Sequence, residues 1–155
     1  AKAFGCHVDA VASAANEAFC KSLGADQFID YRKSNFTQMD QHWDLIFDAA
    51  GKSSYLQARK VMTAGGRFVS TEPDLHGLAV SMLTWPLSKS GRVMLAKPKR
   101  RDLETLIELY QDETLRVTID SRYPLSELAE AHRRVETGVD RGKVVVIHHE
   151  GERHG

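Results

Sequence analysis

The sequence predicts an α/β fold organised around a doubly wound parallel sheet. Short apolar runs rich in β-branched residues alternate with longer segments of helical period, and the spacing repeats as strand, helix, strand, helix. No internal repeat or low-complexity segment interrupts this alternation. A strand, a crossover helix and a second strand fold back as a parallel pair, so the pattern builds a sheet with helices on its faces. Ligands of such sheets bind beyond the carboxyl ends of the strands, where the strand order reverses.

The first strand is expected in HVDAVAS (residues 7–13), followed by the helix NEAFCKSLG (16–24), whose Gly24 suits a left-handed cap. QFIDY (27–31) and WDLIFDAAG (43–51) read as strands, and SSYLQARKVMTAGG (53–66) as a helix with Ser53 or Ser54 at its N-cap. GGRFVST (65–71) and RVMLAK (92–97) are the remaining strands of this sheet. The stretch 71–91 between them reads as a long loop with an apolar patch at Leu83, Trp85 and Leu87, a length that marks a lid or an interaction surface. Next, RRDLETLIELYQD (100–112) sets Leu103, Leu106, Ile107 and Tyr110 at i, i+3, i+4 and i+7 on one helix face. An extended piece (115–123), a helix (124–138) opened by a Ser126 cap with Glu127 close behind, and a final strand GKVVVIHH (142–149) complete the pattern.

Composition excludes several classes of function. Lys plus Arg and Asp plus Glu each number 21, so the formal net charge is zero and no global field draws the chain to nucleic acid or a membrane surface. Its apolar runs fall well short of the roughly 20 residues a membrane span needs, and no charged-then-apolar leader opens the chain, so a cytoplasmic protein is the default expectation. Cys6 and Cys20 are too few for a disulfide framework and are expected to be free, partly buried thiols. No metal site is expected; His148, His149 and His154 lie in a polar tail that reads as frayed.

The opening AKAFG looks like the last turn of a helix closed by Gly5, with neither a strand nor a glycine-rich turn before it. A dinucleotide fold needs both, because backbone N–H groups at the next helix N-terminus hold the pyrophosphate. No G-x-G-x-x-G occurs in the 155 residues, so a sheet incomplete at its N-terminus is expected.

Four collinear motifs carry a resemblance that covers nearly the whole chain. SLGADQFIDY, WDLIFDAAG, AGGRFVS and PLSELAEAHRRVETGVDRGKVVV occur in the order found in the medium-chain dehydrogenase/reductase superfamily. The sequence most resembles the zinc-free quinone oxidoreductase branch. The resemblance implies a partial, Rossmann-like NADP-binding domain over 1–97 without its first strand and glycine-rich turn, and a segment over 98–155 that returns to the catalytic domain. It also implies that most of the substrate-side barrel lies outside this sequence, that catalysis by this chain alone is not expected, and that the protein is a homodimer.

In NAD-selective dinucleotide folds the second strand ends in Asp or Glu, which accepts from the ribose 2′-OH and would repel a 2′-phosphate. Here Ser13 stands at that place. By resemblance, Ser13 and Asn16 match the adenosine-phosphate recognition turn and Tyr31 the tyrosine beside the adenine ribose, which favours NADPH over NADH. Relatives often carry Lys or Arg where Asn16 stands, so Lys21, Arg32 or Lys33 would have to offset the phosphate charge. The alternative for Ser13 is an ordinary helix N-cap, which is compatible with phosphate recognition. Small residues at two strand ends, Ala49, Ala50 and Gly51 in one and Ser70 and Thr71 in the other, admit a close backbone approach to a ribose or nicotinamide; tight packing is the competing explanation. Arg141, Gly142 and Lys143 match the basic turn before the family's last strand, against the plainer reading of a solvated turn.

No acid–base or nucleophile constellation stands out, and no catalytic residue is assigned. Hydride transfer tolerates this, because the nicotinamide carries the chemistry. The leading expectation is the cofactor-binding portion of an NADPH-dependent reductase acting on an electrophilic carbonyl, quinone or enone. The alternatives are a non-catalytic interaction or dimerisation module, with RVMLAKP as an edge strand open to pairing, and a methyltransferase-like sheet.

Overall fold

A computed structural model describes residues 1–71, 75–94, 97–138 and 141–148. Its elements in chain order are β1 (Asp9–Ala12), α1 (Glu17–Ser22), β2 (Gln27–Asp30), β3 (Trp43–Asp48), α2 (Tyr55–Ala58) and β4 (Met62–Ser70). They continue as α3 (Leu75–Thr84), β5 (Ser90–Val93), α4 (Arg100–Gln111), β6 (Ile119–Pro124), α5 (Leu128–Glu136) and β7 (Lys143–Ile147). The strands pair as β1-β2, as β3-β4-β5 and as β6-β7, the last two sheets parallel. β1 and β2 run in the same direction: Gln27 N donates to Val8 O at one end (3.4 Å) and Tyr31 N to Ala12 O at the other (3.2 Å). The expected α/β architecture with parallel strands and crossover helices is therefore present.

The chain divides into two compact units: residues 1–10, 15–27 and 100–155 form one, and residues 11–14 and 28–99 the other. The second unit is built on β3-β4-β5. Its core is Tyr55, Ala58, Met62 and Phe68, with Ile46 and Val80 packed against them. Tyr55 meets Phe68 edge-on at 6.5 Å, and its hydroxyl donates to Lys89 O at 2.7 Å, so the buried phenol has no polar atom left over. Gly91 has to be glycine: a Cβ there would lie 2.6 Å from Val80 Cγ1 and 3.0 Å from the Tyr55 ring, because helix and strand pack backbone-close at that point.

The first unit contains α4, α5 and β6-β7. Arg134 of α5 donates Nε and Nη2 to the two Asp120 carboxylate oxygens of β6, at 2.8 and 2.7 Å, a fork that fixes the helix against the strand. In the same unit Lys2 Nζ reaches both Asp26 oxygens at 2.9 and 2.8 Å, and Val8 N donates to that carboxylate at 2.7 Å. The opening Lys2–Phe4 is a single 3₁₀ turn closed by Gly5 at φ 73°, as the helix-end reading of AKAFG anticipated.

Four expectations about the elements need correction. The stretch 71–91 is not a long loop, for Leu75–Thr84 is the helix α3. Its sequence is apolar around most of its circumference, which hides the 3.6-residue period that normally betrays a helix. The helix expected over 53–66 is shorter: α2 ends at Ala58, a 3₁₀ turn takes Arg59–Val61, and β4 begins at Met62. Met62 is fully buried opposite Trp43, and the register then jumps to Leu45 opposite Arg67, with Gly65 at φ 85° inside the bulge. The strand expected at 92–97 is Ser90–Val93, residues 95 and 96 lying outside the described set. Ser126 caps nothing; it sits within the 3₁₀ turn Leu125–Glu127 begun by Pro124, and α5 starts after Glu127 without a side-chain cap.

The cap predicted before α2 is present at Ser54, whose hydroxyl accepts from Gln57 N at 3.4 Å. Cys6 is exposed rather than partly buried, while Cys20 is half-buried and burial pushes its thiol above the usual range. His149 and His154 lie outside the described residues, and His148 is exposed. Among the described residues no helix is long and apolar enough to cross a membrane.

Candidate functional site

At the carboxyl ends of β3, β4 and β5 the chain turns sharply around one carboxylate. Asp48, the last residue of β3, is buried and accepts hydrogen bonds from Ala50 N (3.2 Å), Lys52 N (3.3 Å) and Ser53 N (2.7 Å). A short acid at a strand end folds the following backbone back onto itself in this way. Gly51 completes the turn at φ 63°, a left-handed conformation in which glycine carries no steric penalty. Thr71 N donates to Asp48 O (3.3 Å), Thr71 Oγ1 to Ala49 O (3.3 Å), and Met94 N to Ser70 O (2.8 Å). The structure thus brings Ala49, Ala50, Gly51, Ser70 and Thr71 into one neighbourhood, and Gly51 and Ser70 border a cavity of about 150 Å³ with Ser53, Ser54 and Arg92.

Ser13 follows β1 and Tyr31 follows β2, so the two sit at adjacent strand ends, tied by the bond from Tyr31 N to Ala12 O. Tyr31 is exposed, with the Arg32 guanidinium 5.8 Å from its ring centroid. Ser13 directly precedes the 3₁₀ turn Ala14–Asn16, rather than the first turn of α1.

In the other unit, Arg141 Nη2 donates to Ala15 O at 2.7 Å across 126 residues of sequence. That bond holds the Arg141 side chain at the turn that carries Asn16. Lys21 pairs with Glu17 at 2.6 Å within α1, an exposed i, i+4 ion pair. Gly142 has a structural reason to be glycine: φ is 146°, and a Cβ would fall 2.4 Å from Thr118 O. The same approach lets Lys143 N donate to Thr118 O at 3.0 Å, while the Lys143 side chain is exposed.

Two functional candidates were absent from the sequence reading. Asp48 had a signal, an acid between an apolar run and small residues, which is the pattern of an Asx turn. Arg92 had a fainter one, a cation inside the apolar stretch GRVML. His42 and His132 are exposed, and neither joins a cluster.

A parallel sheet with crossover helices, and small residues gathered where its strands end, defines a nucleotide-type α/β protein of Rossmann-like fold. The family model described as "Zinc-binding dehydrogenase" matches residues 23–146, and the chain belongs to that family, within the medium-chain dehydrogenase/reductase superfamily. A chloroplast envelope quinone oxidoreductase homolog of Arabidopsis thaliana is 28% identical over 154 residues, covering 94% of this chain and 46% of that protein. A trans-enoyl reductase of Aspergillus terreus is 28% identical over 167 residues with the same coverage, 94% and 46%. Among solved structures, the quinone oxidoreductase from Coxiella burnetii superposes with a TM-score of 0.78 at 30% identity, covering 94% of this chain and 46% of that one. The chain spans about half the length of the relatives it matches, 46% in each of these cases. The family match displaces the methyltransferase-like alternative.

Zinc, named in the family description, finds no fitting set here: among the described residues no three His, Cys, Asp or Glu side chains gather to hold a metal ion. Small residues gather at 49–51 and 70–71 in one unit, and in the other a guanidinium stands at the Ala15–Asn16 turn.

Proposed function

We propose that this chain is the cofactor-binding portion of a medium-chain reductase that takes NADPH in preference to NADH and passes hydride to an electrophilic carbonyl, quinone or enone. The bond from Arg141 Nη2 to Ala15 O carries the reading, because it stations a guanidinium at the turn that follows Ser13. A 2′-phosphate needs a charge-assisted partner, and a guanidinium with further N–H groups to donate provides one. With Asn16 where relatives often carry a cation, Arg141 takes the part first given to Lys21, Arg32 or Lys33. By the family resemblance, Ser13, Asn16 and Tyr31 read the adenosine phosphate, Ala49, Ala50, Gly51, Ser70 and Thr71 neighbour the ribose or nicotinamide, and Gly142 and Lys143 lie close to the cofactor. The cofactor supplies the hydride; the chain's own residues bind and orient it. On this reading the protein acts in the cytoplasm on a small electrophile and works as a homodimer.

The test is a fluorescence titration with NADPH and then NADH, on the chain itself and on a version extended upstream by a glycine-rich turn. The tighter-binding form should favour NADPH, and Arg141→Ala should weaken NADPH by about tenfold or more while leaving NADH nearly unchanged. Equal losses for both cofactors would sink the 2′-phosphate role, and NADH binding at least as tight as NADPH would sink the preference.

A further inference from the structure

We propose that the cavity at the carboxyl ends of β3, β4 and β5 is a binding site for a small carboxylate, with Arg92 as its counter-charge. Arg92 lies near the end of β5, in register with Val69 of β4. The Trp85 ring covers its guanidinium, with the Arg92 Cζ 3.7 Å from the ring centroid. A ring face answers the charge but accepts none of the five N–H groups, which point outward in the guanidinium plane. Arg92 Nη1 is closed to solvent and has no hydrogen-bond partner among the described residues. Native proteins rarely leave such a donor unmet, and a ligand is one of the few things that accounts for it.

The surroundings indicate what that ligand is. Among the described residues lining the cavity none is acidic, and Arg92 is the one charged side chain. Asp48, at the end of β3 beside this cavity, is spent on the backbone N–H groups of Ala50, Lys52 and Ser53. Ser54 Oγ accepts from Gln57 N, which leaves its proton to donate into the site, and Ser53 and Ser70 add hydroxyls to the wall. Phe68, Val80 and Val93 add apolar surface to the lining. A cavity of about 150 Å³ is the size that admits a molecule such as benzene. A lining that combines a guanidinium and hydroxyls with hydrocarbon suits a short-chain or unsaturated carboxylate better than a compact, fully polar phosphate. The inference stands on the cavity and its cation, whether or not the turn at 13–16 reads a cofactor phosphate.

The experiment uses Trp85 as reporter in a Trp43→Phe background, where it is the sole indole. Crotonate is titrated against its neutral isostere crotonamide and against inorganic phosphate, without cofactor. Crotonate should change Trp85 emission saturably, with crotonamide and phosphate at least about tenfold weaker, and Arg92→Gln should weaken crotonate by a similar factor. Equal responses to crotonate and crotonamide would overturn the assignment, as would a stronger response to phosphate or no saturation with crotonate. The amide comparison is made on the native side chain, so it decides the matter even if Arg92→Gln does not fold.

Discussion

Asp48 is buried and accepts from three backbone N–H groups, so its carboxylate organises the turn after β3. Asp48→Ala should cost about 3 kcal/mol of stability in urea unfolding, because it removes three hydrogen bonds to one charged acceptor at once. A loss below about 1 kcal/mol would mean that water replaces the carboxylate freely. Asp120 makes a different kind of prediction. The Arg134 guanidinium, helped by Ser121, holds its carboxyl below the usual range, and Asp26 is likewise lowered by Lys2 and by Val8 N–H. Since both folded-state values lie below the unfolded value of about 3.9, their contribution is present above that pH and is lost as pH falls through the lowered values. Arg134→Ala should therefore flatten the loss of stability below about pH 4, read from unfolding curves at stepped pH. An acid limb as steep as in the native chain would show that the fork contributes nothing to it.

At the scale of elements, α3 decides how the β3-β4-β5 sheet is closed on one side. Thr84, at its end, is buried; its hydroxyl donates to Val80 O at 2.6 Å and accepts from Gly91 N at 2.9 Å, so one side chain joins the last turn of α3 to the first residues of β5. Thr84→Val keeps the shape and removes the acceptor. It should cost about 1–2 kcal/mol and speed amide exchange at Gly91, with normal exchange there showing that the strand is held elsewhere. α4 shows the opposite condition. Its Leu103, Leu106, Ile107 and Tyr110 share one face as the spacing predicted, yet they are exposed by 54, 48, 54 and 58%, so the face is amphipathic without being covered within this chain.

Across the whole molecule, exposed apolar side chains recur on unlike elements: Leu45 and Phe47 on β3, Met82 and Leu83 on α3, Trp85 beside it, and the α4 face. Patches of this kind mark surfaces built to be covered, and the chain spans 46% of the relatives it matches. The face of α4 is the observation that favours the interaction-module reading. Ile107→Lys should leave the unfolding midpoint within about 0.5 kcal/mol of the native chain, since it removes no buried contact, and should reduce self-association in sedimentation velocity. A monodisperse native chain would argue against the module, and a destabilised variant would mean that the face is already packed.

The alternation of strand and helix, the Ser54 cap and the glycine turns at Gly5 and Gly24 were legible in the sequence by itself, because each rests on interactions within a few residues, and the parallel sheet followed from that alternation because a crossover helix returns the chain in the same direction. So was the list of small residues at the ends of β3 and β4. Local pattern was silent where the deciding partner lies far along the chain. The start of β4 at Met62 follows from burial against Trp43, α3 from packing of Val80 and Thr84 on β5, and the need for Gly142 from Thr118. The site divides the same way. Residue types and order placed Ser13, Asn16 and Arg141 on one list, but only folding set Arg141 against Ala15, 126 residues away, and left Arg92 Nη1, with its guanidinium under Trp85, closed to solvent and without an acceptor among the described residues. Periodicity encodes which face of an element is apolar, whereas long-range hydrogen bonds and charge burial exist only once the chain has closed on itself.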